Sequence, residues 1–336
     1  MSVPSALEFH WQSLARLPSG LVHHSLGEVG GQMYMLGGCD ATGRPSPALE
    51  IYSPEWLSLP PMPTPRAGVA VAVLGKQILV VGGVYNTEEG RWRKRSALRE
   101  ALMGVAVTVK DGRALAAGGM GSDMLHPSRL QQYDLRKNVW ALLPPMPTPR
   151  YDATAHLLGN KIYVAGGRQC KRTLKVFEVF DSETRSWSTL PNMPCKRFFM
   201  QWSKLIVHTL PCLPHPHYNV VYTCTHTHTN THSNIVLSCL PPGLWLKSED
   251  TVAMKTKRAD FASSFLRGRM VVAGGLGEGY EAFHPQKRKW ERLAPMAMAR
   301  CSASSIVIRD RLLVVGGVNQ VPSSAHEILY VKEECL

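Results

Sequence analysis

The chain has 336 residues, of which 44% are apolar, and a formal net charge of +13. Its length and apolar fraction are ample for a folded core. No apolar run reaches the roughly 18–20 residues that span a bilayer, so we expect that the protein does not span a membrane. The positive charge comes from short, scattered clusters without the interleaved aromatic residues that stack on bases, which argues against a nucleic-acid partner. Eight cysteines without a Cys-x-x-Cys pair indicate free thiols in a reducing compartment, and we expect a cytoplasmic protein.

A run of apolar residues that ends in two glycines recurs along the chain. The six runs are Gln32 to Gly38, Gln77 to Gly83, Arg113 to Gly119, Lys161 to Gly167, Arg269 to Gly275 and Arg311 to Gly317. Seven tryptophans recur with a similar step, at Trp11, Trp56, Trp92, Trp140, Trp187, Trp245 and Trp290. A step of about 45–50 residues is typical of a propeller, whose blades are four-stranded sheets buried on both faces. We therefore predict an all-β fold with a single propeller domain over residues 1–336.

The units resemble the kelch repeat, in which a glycine pair is followed by an aromatic residue and then by tryptophan. The pattern is clear in Gly166-Gly167, Phe180 and Trp187. The run Leu-Pro-Pro-Met-Pro-Thr-Pro-Arg, at 59–66 and again at 143–150, is similar to the loops between kelch blades. The resemblance covers nearly the whole chain outside about 200–244, and it implies a kelch-type β-propeller with a seven-bladed parent architecture.

The two ends of the chain complement each other. Trp11 has no glycine pair before it, whereas the pair Gly316-Gly317 is followed by a strand pattern at 326–331 and by no further tryptophan. We predict that residues 9–17 form the fourth strand of the last blade, because such closure removes exposed sheet edges.

Blade 2 is shorter than the other units. Trp92 follows Gly83 after nine residues, where the other units allow 15 to 21. We predict from this spacing that the third strand of blade 2 is clipped.

The fifth blade is predicted to be disrupted, because no glycine pair stands between Trp187 and Trp245. The irregular segment 200–244 contains prolines that central strands do not accept, and six of the thirteen histidines lie between His208 and His232. Three interpretations remain open. The segment binds a metal ion, it is a disordered insertion, or it is intron read-through, since alternating Thr-His is what a CA repeat encodes.

Arginines recur ten residues after four of the tryptophans, at Arg66, Arg150, Arg197 and Arg300. At the start of the innermost strands they would surround the channel mouth and bind carboxylates with their planar guanidinium groups. This arrangement resembles that of kelch substrate adaptors, in which arginines of the corresponding loops hold acidic peptides. The alternative is a structural role, in which each arginine caps carbonyl groups or pairs with a carboxylate of the fold.

We expect a non-enzymatic protein–protein interaction module whose arginine-ringed mouth binds an acidic peptide or protein. No nucleophile elbow, P-loop or HExxH motif is present, so we predict neither an enzyme nor a cofactor. One alternative is a metal-binding protein or metal-dependent enzyme that uses the histidine-rich segment. Another is a substrate receptor of a ubiquitin ligase, which is weakened because no BTB-like domain precedes Trp11.

Overall fold

The computed structural model describes residues 8–80, 83–98, 100, 102–193, 220–223, 236–240, 244–247, 261–275, 280–284, 287 and 289–332. The regular elements of this part of the chain are all β-strands, and the all-β propeller fold is confirmed. No described segment is a helix long and apolar enough to cross a bilayer.

Six antiparallel sheets of four strands form blades 1–4, 6 and 7. From first to fourth strand they are Ser25–Val29, Gln32–Leu36, Leu49–Tyr52 and Trp56–Ser58 in blade 1; Val71–Leu74, Gln77–Val80, Gly83–Asn86 and Arg91–Lys94 in blade 2; Ala106–Lys110, Arg113–Ala117, Leu130–Asp134 and Val139–Leu143 in blade 3; Thr154–Leu158, Lys161–Ala165, Phe177–Asp181 and Ser186–Leu190 in blade 4; Ala262–Leu266, Arg269–Ala273, Tyr280–His284 and Lys289–Leu293 in blade 6; and Ser304–Ile308, Arg311–Val315, His326–Val331 and Phe9–Ser13 in blade 7. The first strands of neighbouring blades contact one another from blade 6 through blades 7, 1, 2 and 3 to blade 4, so they form the inner wall of the ring.

The up-and-down strand order gives the ring two different faces. Connections between the second and third strands, and between successive blades, lie on one face, which we call the loop face. Three short ribbons extend it, formed by Leu102–Met103 with Met120–Gly121, Arg168–Gln169 with Arg172–Thr173, and Val318–Asn319 with Val321–Pro322. The tight turns between the first and second and between the third and fourth strands lie on the opposite face, which we call the turn face.

Blade 7 is assembled from both ends of the described chain. Phe9–Ser13 pairs antiparallel with His326–Val331, in a register that places Trp11 opposite Leu329. Leu329 is fully buried between this strand and Leu312 of the second strand. The pairing joins the first described strand to the last and covers an edge of blade 7 that would otherwise be open.

Tryptophans of the fourth strands connect consecutive blades. In blades 1 to 4 the indole ring packs beside the preceding blade, and its N–H donates to a backbone carbonyl there. The bonds run from Trp56 to Ala15 (3.1 Å), Trp92 to Pro60 (2.8 Å), Trp140 to Ser96 (2.9 Å) and Trp187 to Pro144 (2.8 Å). The ring supplies apolar area and the N–H adds a directed bond, as buried tryptophans usually do.

The third strand of blade 2 is present, so the prediction that it is clipped is wrong. Gly83–Asn86 pairs with Gln77–Val80 on one side and with Arg91–Lys94 on the other. Tyr85 occupies the aromatic position of a regular blade and packs on Trp92 with the ring centroids 5.4 Å apart. What is short is the connection on the loop face, where only two residues separate the second strand from the third.

Residues 200–244, predicted to be a disrupted blade, are described in part. Within the described part of this region, three strands pair as an antiparallel sheet: Val220–Thr223, Val236–Leu240 and Leu244–Lys247. These strands contain no proline, which agrees with the exclusion of proline from central strands. The Thr-His repeat lies outside the described residues.

Replacing Trp140 with phenylalanine is expected to cost about 1 kcal/mol more in unfolding free energy than replacing Trp11. Both substitutions remove the same part of the ring, but only Trp140 loses a hydrogen bond, since the buried Nε1 of Trp11 has no partner in the described part of the chain. Urea denaturation of Trp140→Phe and Trp11→Phe measures the difference. Equal destabilisation would show that the indole bond contributes nothing.

Candidate binding face

The joint between consecutive blades lies on the loop face and depends on the glycine pairs. The second glycine of a pair donates its N–H to a carbonyl at the start of the next blade: Gly38 to Arg66, Gly119 to Arg150 and Gly275 to Arg300, each at 2.9 Å, and Gly317 to Leu21 at 3.4 Å. A Cβ on the first glycine would lie 2.2–2.9 Å from the same carbonyl oxygen, and its φ is positive in all four pairs. Only glycine accepts both conditions, which explains why the pair recurs.

Arg150 extends from this joint into the interior of blade 4. Its guanidinium is fully buried and forms an ion pair with Glu178, which is 1% exposed. It also donates to the carbonyls of Gly166 and Val176, each at 3.3 Å. Burial lowers the pKa of Arg150 from its usual value, and the negative charge of Glu178 opposes this shift.

Arg300 repeats this arrangement in blade 7. It is 2% exposed, pairs with Glu327 and donates to the carbonyl of Val314 at 3.0 Å. Neither Arg150 nor Arg300 lines the channel mouth, so the prediction that they are accessible to a partner is wrong. The physical reason is that a carboxylate of the third strand in the same blade draws each guanidinium inward.

Arg66 differs from these two because blade 2 offers it no carboxylate. Gly83 stands where blade 4 has Glu178, and Arg66 is partly exposed with its Nε donating to Thr64 Oγ1 at 3.0 Å. Among the described residues no carboxylate pairs with it. Arg197, the fourth predicted arginine, lies outside the described residues.

Comparison of the blades indicates that the arginine and the third-strand carboxylate function as a pair. Blades 4 and 7 have both members, and blade 3 has neither, since Leu102 and Gln131 occupy the two positions. Blade 2 has only Arg66, and blade 1 has only Glu50, with Leu21 in the arginine position. The pair is therefore an internal clamp of the blade wherever it is complete.

Arg150→Leu is expected to destabilise the protein by about 3–5 kcal/mol, because it leaves the carboxylate of Glu178 buried without a counter-charge. Adding Glu178→Gln recreates the Leu102 and Gln131 pair of blade 3 and is expected to recover a large part of this loss. A double-mutant cycle in urea checks it. Strictly additive costs would show that the two side chains are not coupled.

Glu50 is a buried carboxylate without its clamp partner. The residue is 5% exposed, and Oε2 has no hydrogen-bond partner among the described residues. Burial raises the pKa of Glu50 to about 6. Ionised Glu50 therefore destabilises the folded protein above pH 6, and the penalty decreases as the pH falls toward the usual glutamate value of 4.5.

Glu50→Gln is expected to stabilise the protein at pH 7.5 by about 1–2 kcal/mol, which corresponds to the raised pKa. The gain should disappear near pH 4.5, where the wild-type carboxyl is protonated in the folded protein. Unfolding free energies of wild type and variant across pH 4.5–7.5 test this. A difference that does not change with pH would contradict it.

Two buried histidines carry the opposite pH dependence. Burial lowers the pKa of His24 and of His326 to about 4. The His326 ring lies between Tyr52 and Trp56, with centroids 4.5 and 5.3 Å away. Because the unfolded chain binds these protons more tightly, both histidines reduce stability as the pH falls from 6.5 toward 4.

The loop of blade 4 concentrates positive charge on the loop face. Between Arg168 and Lys175 it carries four basic residues and no acidic one. Lys171, Arg172 and Lys175 are exposed and form no ion pair with any described residue. Cys170 and Lys171 both have positive φ, which forms a tight turn at the tip of the ribbon and holds these charges outward.

The neighbouring loop of blade 3 adds an exposed apolar surface. Met103, Met124 and Leu125 are 55–67% exposed, although large apolar side chains are usually buried. His126 Nε2 accepts a hydrogen bond from the Cys170 N–H at 3.0 Å, which ties the two loops together. The basic and the apolar surfaces therefore form one composite surface, which we call the blade 3–4 surface.

Lys171-Arg172 is one of the short basic clusters visible in the sequence, whereas the apolar half of this surface has no signal there. The exposed side chains are not part of the repeat, so periodicity does not reveal them. As to metals, the described residues contain no group of three or more His, Cys, Asp and Glu that could hold an ion. The histidine-rich segment that motivated the metal hypothesis lies mainly outside them.

Comparison with known proteins supports the same architecture. The family model of the Kelch motif matches residues 20–63 and 149–194. The chain is 39% identical to Kelch domain-containing protein 8B of Rattus norvegicus and of Homo sapiens over 174 residues, which is 49% of this chain and 48% of each relative. The repeat motifs are also similar to those of kelch domain-containing protein 8A, a near neighbour of protein 8B.

Two more distant matches support the same propeller architecture. The chain is 26% identical to Kelch-like protein 41b of Danio rerio over 196 residues, or 52% of this chain and 32% of that protein. The solved structure of YjhT covers 95% of this chain and 99% of its own length with a TM-score of 0.55 at 12% identity, a likeness of fold. The chain spans about half the length of the curated 8B relatives that it matches.

Proposed function

We propose that this chain, whose Kelch motifs lie at residues 20–63 and 149–194, is a non-enzymatic interaction module of the kelch-repeat type whose loop face binds an acidic segment of a partner protein. Kelch propellers are typical protein-interaction modules. The observation that carries the proposal is the unpaired positive charge of Lys171, Arg172 and Lys175 on an ordered loop. Charges held in place and free of internal partners attract carboxylates and steer association.

Ion pairing on the turn face supports the choice of the loop face. There, several basic residues are neutralised by acidic neighbours, as in the pairs Lys76–Glu88, Arg91–Glu89, Arg93–Glu89, Lys161–Asp181 and Arg267–Asp310. On the loop face, the blade 4 loop has no acid of its own. An acidic partner therefore gains more from the blade 4 loop than from these paired residues of the turn face.

The apolar half of the surface limits the kind of acidic partner. Met124 and Leu125 offer flexible apolar area beside the basic loop, and methionine adapts readily to different ligands. A purely acidic segment would leave these side chains in water. The proposal is thus an acidic segment that also carries large apolar residues, with Arg66 as a further accessible cation on the same face.

A cytoplasmic location is part of the proposal. Cys39, Cys170 and Cys301 are free thiols, and Cys170 is exposed. Unpaired exposed thiols persist most readily in a reducing compartment.

Peptide display on the immobilised protein is expected to select segments rich in Asp or Glu together with Leu or Phe. For a selected peptide, Lys171→Glu/Arg172→Glu should weaken binding by at least about tenfold, which corresponds to about 1.4 kcal/mol. Met124→Ser/Leu125→Ser should weaken it as well. Fluorescence anisotropy at two salt concentrations measures these effects.

Arg136→Glu/Lys137→Glu is the matched control, because these two adjacent exposed basic residues occupy a turn on the opposite face of the ring. It should leave binding unchanged. Wild-type affinity in the Lys171→Glu/Arg172→Glu variant, or equal loss in the control, would refute binding at the blade 3–4 surface. Selection of peptides without acidic residues would refute the acidic partner.

A further inference from the structure

A cleft on the turn face, remote from the surface discussed above, opens between blade 7 and blade 1. Its volume is about 460 Å³. One wall is the cross-strand pair Leu313 and Ile328 of blade 7, and the other is the pair Met33 and Tyr52 of blade 1. Ligand pockets in proteins commonly have about 300–1,000 Å³, so the cleft suits a small molecule.

Two arginines, Arg309 and Arg311, stand at the rim of this cleft. Both are exposed, and within the described chain neither forms an ion pair. The guanidinium of Arg309 lies against Gly31 of blade 1. A Cβ added at residue 31 would be only 2.6 Å from Nη2 of Arg309. The missing side chain at residue 31 therefore leaves the space that the guanidinium occupies beside the cleft.

The other blades show why Arg311 forms no ion pair with a described residue. The first residue of the second strand is basic in blades 3 and 4 as well, and an aspartate lies opposite it. Arg113 Nη2 is 3.6 Å from Asp134 Oδ2, and Lys161 Nζ is 3.9 Å from Asp181 Oδ2. In blade 7 the register places Tyr330 opposite Arg311, so the carboxylate is missing.

Arg309 is left without a partner for a related reason. The nearest acid in sequence, Asp310, forms an ion pair with Arg267 of blade 6. Two guanidinium groups thus face a cleft with apolar walls and form no ion pair with any described carboxylate. The Glu28 carboxylate beside Gly31 instead accepts a hydrogen bond from the Gly31 N–H at 2.6 Å. Guanidinium groups bind carboxylates in a planar, bidentate geometry.

We propose that the cleft between blades 7 and 1 binds a small organic carboxylate, with its apolar body between Met33, Tyr52, Leu313 and Ile328 and its anionic group on Arg309 and Arg311. The apolar walls favour an aliphatic or aromatic body over an inorganic anion. The site is independent of the interaction proposed for the loop face and lies on the other side of the ring.

The test uses 4-phenylbutyrate and its uncharged amide as probes, with methyl-labelled protein observed by NMR. Phenylbutyrate is expected to shift the methyl resonances of Met33, Leu313 and Ile328 in a saturable manner. The amide, and Arg309→Gln/Arg311→Gln with phenylbutyrate, should each show at least about tenfold weaker binding, or about 1.4 kcal/mol. Both arginines are exposed, so the double variant should fold normally.

Two control variants separate the site from general effects. Arg113→Gln removes the equivalent arginine of blade 3 and should leave binding unchanged, whereas Gln32→Trp, at the edge of the cleft, should block binding with both arginines intact. Equal binding of acid and amide, an unaffected Arg309→Gln/Arg311→Gln variant, or no saturable shift up to about 10 mM would each overturn the proposal. Shifts produced by acidic peptides but not by phenylbutyrate would overturn it too, and would assign these arginines to a protein partner.

Discussion

The contact on which the ring depends is a backbone carbonyl placed against a pair of glycines of the preceding blade. At Arg66, Arg150 and Arg300 the carbonyl accepts the N–H of the second glycine at 2.9 Å. The first glycine must lack a Cβ and must have positive φ, so the contact fixes how closely two blades approach each other. Once this approach is fixed, the tryptophan of the fourth strand reaches the preceding blade, and the same spacing is repeated around the ring.

The same joint explains why the sequence predicted the architecture well and the candidate site poorly. Glycine pairs and tryptophans report on the backbone and on packing between blades, and these follow directly from the repeat. The side chain of Arg150 is governed instead by Glu178, a residue 28 positions later whose proximity depends on strand register. The signal was available in comparisons between blades, because Leu102 and Gln131 replace both members of the pair together in blade 3.

The surface features have a different origin from the repeat. The apolar side chains of Met124 and Leu125, and the unpaired Arg311, occur where a blade departs from its neighbours. Periodicity cannot predict such departures, and only the fold shows which of them lie side by side. The scaffold is thus set by what the blades share, and the proposed binding surfaces by the positions at which single blades differ.

The pairing of Phe9–Ser13 with His326–Val331 has a consequence for synthesis of the protein on the ribosome. The first strand emerges early but finds its partner only after more than three hundred further residues have been translated. Until then a strand with free hydrogen-bonding edges and the aromatic side chains of Phe9 and Trp11 is exposed, a condition that favours misassembly between nascent chains. The other blades can fold in sequence order during this time. The ring closes last, when Phe9–Ser13 pairs with His326–Val331.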